Sequence, residues 1–405
     1  MVTAFAQRPE APADAPLALV NANVVNVRDG RVTANATIVM RGGRIESMGT
    51  GAAPAGVRAL DLRGKYVLPG LIDAHTHASD QAAFRRALES GVTTVRSAGV
   101  SFYVDVGFHE LVKKGAVAGP DVVTAGYHVR PQIAAEAFLS DPQYSDLMAG
   151  VTTIDRMRRA VQMNLAHGVD WIKILATERA GTAETDPRKQ VYTEDEIRAI
   201  VQEAATKNVP VEAHAHGDEG AMAAVKAGVR SIEHGTYLSD ATLQLMKEKG
   251  AYFDPTYTTV IDLTDAGGDY DVPALRIRGQ HMLPRLREAV IRAHKMGVKI
   301  VTGSDTGYGP GSLTRIGQEM THFVEMGFTT LEAIQSATTV NAEMLRLEKS
   351  IGVVEAGYEA DLIAVEKNPL ENITTVQDPV LVISNGRVAV DRLDFARPTQ
   401  RPSSQ

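Results

Sequence analysis

Between residues 67 and 307 the chain alternates eight short apolar runs with longer segments rich in Ala, Glu and Lys, and this rhythm restricts the fold more than any single motif. The runs are VLPGLIDAHTH (67–77), TTVRSAG (93–99), DVVTAGYHV (121–129), DWIKILAT (170–177), VPVEAHAHG (209–217), RSIEHG (230–235), AYFDPTY (251–257) and KIVTGSDTG (299–307). Strand-length runs alternating with helix-like segments argue for repeated βα units and a parallel sheet. Eight such units predict an α/β chain whose residues 67–349 close into a (β/α)8 barrel of TIM type.

The two ends have another texture. Residues 17–66 are short β-branched runs broken by Arg28-Asp29-Gly30 and Arg41-Gly42-Gly43, which read as hairpins. The texture returns in 352–370 and 380–390, where Asn385-Gly386 is a strong hairpin turn. Pairing of the two ends predicts a discontinuous β-sandwich domain made of 17–66 and 350–395.

In a barrel the reactive groups stand at the C-terminal ends of the strands, on one face. The first run ends in His75 and His77, the third in His128, the fifth in His214 and His216, the sixth in His234 and the eighth in Asp305, while the fourth carries Lys173. On a strand, residues two apart point to the same side, so His75 and His77 can grip one ion. Taken singly, each of these residues has an ordinary reading: a solvated histidine at a turn, or an aspartate capping a helix. Their convergence on one face is what argues for a metal centre.

Composition narrows the chemistry. A formal net charge of −7, without Lys/Arg runs, argues against nucleic acid or an acidic membrane as partner and favours a small molecule. There is no cysteine, so a transition metal would need histidine and carboxylate ligands. No apolar run approaches the roughly 18 residues of a membrane span. Ala4-Phe5-Ala6 followed by a Pro/Ala-rich stretch is similar to the end of a signal-peptide cleavage site, which gives export to periplasm or medium as the expectation, with the cytoplasm as the alternative.

Lys173 discriminates between readings. Flanked by Trp171, Ile172, Ile174 and Leu175, its amine would face a cationic site, where a further positive charge is unfavourable. A neutral amine can instead combine with carbon dioxide, and the resulting carbamate offers two anionic oxygens to two adjacent metals. A barrel-interior lysine with no such role is the plainer alternative.

PGLIDAHTH, the lysine of WIKI, HAHG, SIEHG and TGSDT together resemble the motif set of the amidohydrolase superfamily, from about Leu17 to about Val390. The resemblance implies His75, His77 and Asp305 as ligands of the more buried of two divalent metals, zinc first, and His214 and His234 as ligands of the more exposed one. It also implies carbamylated Lys173 as the bridge between the two metals. Metal-activated water would be the nucleophile and Asp305 the proton carrier. His216 is left as a substrate contact.

Within the superfamily, SIEHG and DEGAMAAVKAG (218–228) resemble the branch of Xaa-Pro dipeptidases, imidazolonepropionase-like proteins and ochratoxin-hydrolysing amidases. That implies a homo-oligomeric hydrolase of a small amide or dipeptide that releases an amino acid with a free carboxylate, ochratoxin A being one such substrate. His128 would polarise the carbonyl or meet the carboxylate, with Tyr127, Arg130 and His216 beside it. Residues 130–150 are long for a loop and could form a lid lined by Ile133, Phe138 and Leu139. Competing functions are a cyclic-amide, lactone or phosphotriester hydrolase with the same centre, and a non-catalytic scaffold, which retention of every ligand-type residue disfavours.

Overall fold

The computed structural model describes residues 15–312 and 314–393. The Ala4-Phe5-Ala6 segment, and residues 394–395 of the expected end domain, lie outside that range. The first strands are β1 (Leu17–Val25), β2 (Val32–Arg41), β3 (Arg44–Thr50), β4 (Arg58–Asp61) and β5 (Tyr66–Pro69). They are followed by β6 (Leu71–Thr76), β7 (Val92–Ser97), β8 (Asp121–Val123), β9 (Ile172–Leu175), β10 (Val211–Ala215), β11 (Ser231–His234) and β12 (Tyr252–Asp254). Three more, β13 (Leu362–Val365), β14 (Leu381–Ser384) and β15 (Arg387–Asp391), close the sequence of strands.

The two chain ends pair in one eight-stranded sheet of order β15-β14-β13-β5-β1-β2-β3, with β4 alongside β1. The joint is the antiparallel pair β13–β5, in which Ile363 faces Leu68 and Val365 faces Tyr66. Two of its hairpins turn on the dipeptides read from the sequence. Gly42-Gly43 joins β2 to β3, Asn385-Gly386 joins β14 to β15, and all four residues have positive φ. Such two-residue turns match the twist of the strands they connect. Leu19, Ile38, Met40, Leu62, Leu362 and Ile383 form the apolar core beneath this sheet.

The central region is α/β, of TIM-barrel type. β6, β7 and β8 form one parallel sheet, and β9 to β12 another. Val129 bridges to Ile174 and so links the third run to β9. The eighth run, with Gly303 and Gly307 and mostly polar residues, is irregular. It lies between β12 and β6 through the bridges Phe253 to Ile300 and Thr76 to Thr306, and through hydrogen bonds from Ala74 N to Thr302 O and from Asp305 N to His75 O. The surrounding helices bury one face each. In Ile154–Ala166 that face is Met157, Ala160, Val161 and Asn164, and Thr153 caps the first turn by accepting from Arg156 N.

The 130–150 segment is built from two 3₁₀ stretches, Ala135–Phe138 and Pro142–Ala149. Its apolar residues do not line the site as expected. Ile133 and Phe138 pack into the main core, and Leu139 is 80% exposed to solvent.

Candidate active site

At the C-terminal ends of the central strands lies a pocket lined by His75, His77, His128, Lys173, His214, His216, His234 and Asp305, among others. Strand alternation accounts for much of this. Asp73 and His75 share a side of β6, and Glu212 and His214 share a side of β10. Alternation would, however, send Glu233 and His234 to opposite sides. Both face inward because His234 has φ 72°, a left-handed turn that ends β11. Thr256 and Asp305 end the next two runs in the same way, with φ 45° and 48°. Each such residue costs on the order of 1–3 kcal/mol, a cost typical of functional sites.

Two donor groups result. One ligand atom each from His75, His77 and Asp305 lies within 4.8 Å of the others, and the same holds for His214, His216 and His234. Asp305 Oδ1 is 3.2 Å from His77 Nε2 and 3.5 Å from His75 Nε2, while Asp305 Oδ2 is 4.0 Å from His234 Nδ1. Lys173 Nζ is fully buried, 3.4 Å from His75 Nε2 and 3.8 Å from Glu212 Oε2.

Hydrogen bonds to carbonyl and carboxylate oxygens fix which nitrogen His75, His77 and His214 offer. A carbonyl can only accept, so His77 Nδ1 donates to Gly99 O (2.8 Å), leaving Nε2 as a lone-pair donor. His214 Nε2 donates to Glu178 O (3.2 Å), leaving Nδ1. His75 Nδ1 bonds Glu233 Oε2 at 2.9 Å, which leaves Nε2 facing Asp305 and Lys173. His234 Nδ1 and His216 Nδ1 meet the hydroxyls of Thr256 and Thr236. Outer partners that orient imidazoles in this manner are a hallmark of metal ligands, and the donor set therefore fits divalent metals.

Electrostatics agree. Burial, reinforced by Lys173, lowers His75 to about 4, and burial with the neighbouring imidazoles holds His214 and His234 well below the usual histidine range. These rings are neutral at pH 7, as ligands must be. Burial pushes Asp305 up, but His75 and His77 outweigh it and hold the carboxyl below the usual range.

Beneath the pocket sits a charged layer that sequence reasoning missed. Arg96 lies over the Trp171 ring and pairs with Glu212 (3.0 Å), Glu233 (2.9 Å) and, at 3.8 Å, Asp254. All four charged side chains are fully buried. Glu212, two residues before His214 on an apolar strand, was the available signal; nothing comparable marks Arg179 and Tyr270, which reach the pocket from loops.

Tyr127 and Arg130 are not among the pocket-lining residues. Alternation explains Tyr127: it points away from His128 into the core, where its hydroxyl accepts from Phe102 N and its ring meets Tyr103. Arg130 lies past the strand end, half-buried. Arg179 occupies the pocket instead. His128 Nε2 donates to Ala98 O at 2.5 Å, and its buried Nδ1 has no partner among the described residues, so the ring offers an acceptor and no donor.

A buried imidazole and carboxylate donor set at the C-terminal ends of parallel strands defines a class, the α/β proteins of TIM-barrel type with a candidate divalent-metal site. The Amidohydrolase family model matches residues 66–389, and the chain belongs to that family of hydrolases. It is similar to ochratoxinase of Aspergillus niger, 29% identical over 91% of this chain and 85% of that one. The crystal structure of A. niger ochratoxinase superposes with a TM-score of 0.78, at 27% identity over 93% and 96% of the two chains. A Xaa-Pro dipeptidase crystallised with methionine in its active site gives a TM-score of 0.81 at 29% identity, covering 92% and 99%. Imidazolonepropionase of Micrococcus luteus is 26% identical over 82% of this chain and 88% of its own length.

Proposed function

We propose that the protein is a binuclear metal-dependent amide hydrolase of carboxypeptidase or dipeptidase type, which releases a C-terminal amino acid from N-acyl amino acids or dipeptides. Ochratoxin A, an amide of phenylalanine, is the first candidate substrate. The observation that carries the reading is the pair of histidine clusters in one pocket, with buried Lys173 beside His75. Similarity to ochratoxinase and to a Xaa-Pro dipeptidase supports the substrate class.

His75, His77 and Asp305 would hold one ion and His214 and His234 the other, with carbamylated Lys173 between them and zinc the first choice of metal. When bound, the ions supply Lewis acidity and a water of lowered pKa. The rest is done by the chain. The Asp305 carboxyl, held below the usual carboxylate range, is ionised at pH 7, so it can accept the proton of the attacking water and return it to the leaving nitrogen. His216 completes the wall beside His234, the two rings stacked 4.7 Å apart. His128, with only an acceptor to offer, suits an N–H of the substrate better than its carbonyl. Arg179 supplies the guanidinium that a free carboxylate needs, for which a bidentate pair is the strongest contact. The same reading takes the two parallel sheets and the eighth run as one closed barrel over 67–349. It takes the end sheet, 17–66 with 350–393, as a sandwich domain that braces it.

The test is kcat/KM for an N-acyl-phenylalanine, ochratoxin A and a Xaa-Pro dipeptide, each against its carboxyl-blocked ester or amide. Losing a charge-assisted contact worth about 1.5–3 kcal/mol lowers kcat/KM roughly 10- to 150-fold. Equal rates for free and blocked substrates would instead favour a cyclic-amide, lactone or phosphotriester hydrolase.

A further inference from the structure

A second set of carboxylates lies far from the pocket, where the end sheet meets the opening of the central strands. Asp121 begins β8, and Glu359 and Asp361 immediately precede β13. One oxygen from each of the three lies within 4.8 Å of the others. Asp361 is only 4% exposed, and its Oδ2 has no hydrogen-bond partner among the described residues, although the Thr93 hydroxyl lies close enough to favour the charged form. Its Oδ1 accepts from Asn385 N at 2.7 Å, and the Asn385 side-chain amide donates to both oxygens of Asp121 at 3.2 and 3.3 Å.

Positive charge does not balance the cluster. Arg44 reaches Glu359 at 3.8 Å, and among the described residues no Lys, Arg or His lies within ion-pair distance of Asp121 or Asp361. His109 contributes a weak attraction to Asp121, but its Nδ1 is spent on Val122 O. Burial pushes Asp121, Glu359 and Asp361 upward, and repulsion by Asp121 adds to it at Glu359 and Asp361, so the cluster needs either protons or a cation. Two oxygens bound at about 2.4 Å to one calcium ion can be no more than about 4.8 Å apart, a limit that the three oxygens respect. Asp121, Glu359 and Asn385 also border a wide cavity, from which water can fill the remaining coordination positions.

We propose that Asp121, Glu359 and Asp361 hold a hard divalent cation of the calcium type, which fastens the end sheet to the central strands. Asp121 lies more than two hundred residues before Glu359 and Asp361 in the sequence, and the Asn385 hairpin turn clamps Asp121 and Asp361 in place. The site is independent of the hydrolytic centre, whose imidazole donors suit softer metals.

The test is thermal unfolding of the metal-loaded enzyme with calcium added, on the parent and on Glu359→Gln and Asp361→Asn. An ion bound only by the folded state raises Tm in proportion to the logarithm of its concentration. The parent is expected to gain a few degrees at millimolar calcium, and both variants to lose that gain while hydrolysing substrate at the parent rate. Glu359 is partly exposed, so Glu359→Gln folds even if Asp361→Asn does not. An unresponsive parent, or a calcium shift that survives in Glu359→Gln, would overturn the proposal and leave the carboxylates as a protonated cluster.

Discussion

The end sheet and the central strands are both buried β structure, yet their interiors are opposites. Under the end sheet lie Leu19, Ile38, Met40, Leu362 and Ile383, and its tight hairpins use residues suited to their positive φ. Inside the central strands lie Arg96, Glu212, Glu233, Asp254 and Lys173, desolvated and bounded by three left-handed strand ends. A buried ion cluster gives little net stability compared with apolar packing of the same volume. What it gives here is orientation: Arg96 positions Glu233, and Glu233 fixes His75. One region is built for stability, and the other gives up stability for geometry.

The contrast can be broken most sharply at Asp305. Asp305→Asn should lower kcat about 10²–10⁴-fold, the usual worth of general acid–base catalysis, with most of the metal and the fold retained. Simultaneous loss of metal and fold would make Asp305 mainly structural. Next in size is Arg96→Leu, which strands Glu212, Glu233 and Asp254 and should cost roughly 3–5 kcal/mol in denaturant unfolding. A neutral result there would mean that these carboxyls stay protonated without their partner.

Leu19→Ala probes the other interior. It should cost about 2–5 kcal/mol of stability, as large-to-small core changes do, and leave kcat/KM of the folded fraction untouched. A fall in kcat/KM would show that the end sheet shapes the site. The smallest expected effect is Arg179→Ala: kcat/KM for substrates with a free carboxylate falls about 10- to 150-fold and that for blocked substrates hardly at all. Arg130→Ala should change neither, and the reverse pattern would return the carboxylate to Arg130.

How far the sequence could be read follows the same divide. Apolar alternation and turn dipeptides located the end strands, and His-x-His spacing located β6 and β10. The placement of Tyr127 against His128 was also implicit in alternation, since neighbours on a strand face opposite ways. Glu233 and His234 were not legible as a pair, because the left-handed turn that lets both face inward leaves no compositional mark. Arg179 and Tyr270 depend on loop conformation, which no periodicity encodes. The pairing of Asp121 with Asp361 across 240 positions is a fact of topology alone.

The central claim is that Lys173 bridges two metals. Metal content per chain, measured on the parent and on Lys173→Ala after the same purification in bicarbonate-containing buffer, tests it most directly. Two divalent ions are expected per parent chain, one or fewer in the variant, and activity partly restored to the variant by short-chain carboxylic acids. One ion in both proteins, or full activity of Lys173→Ala with a single metal, would contradict it.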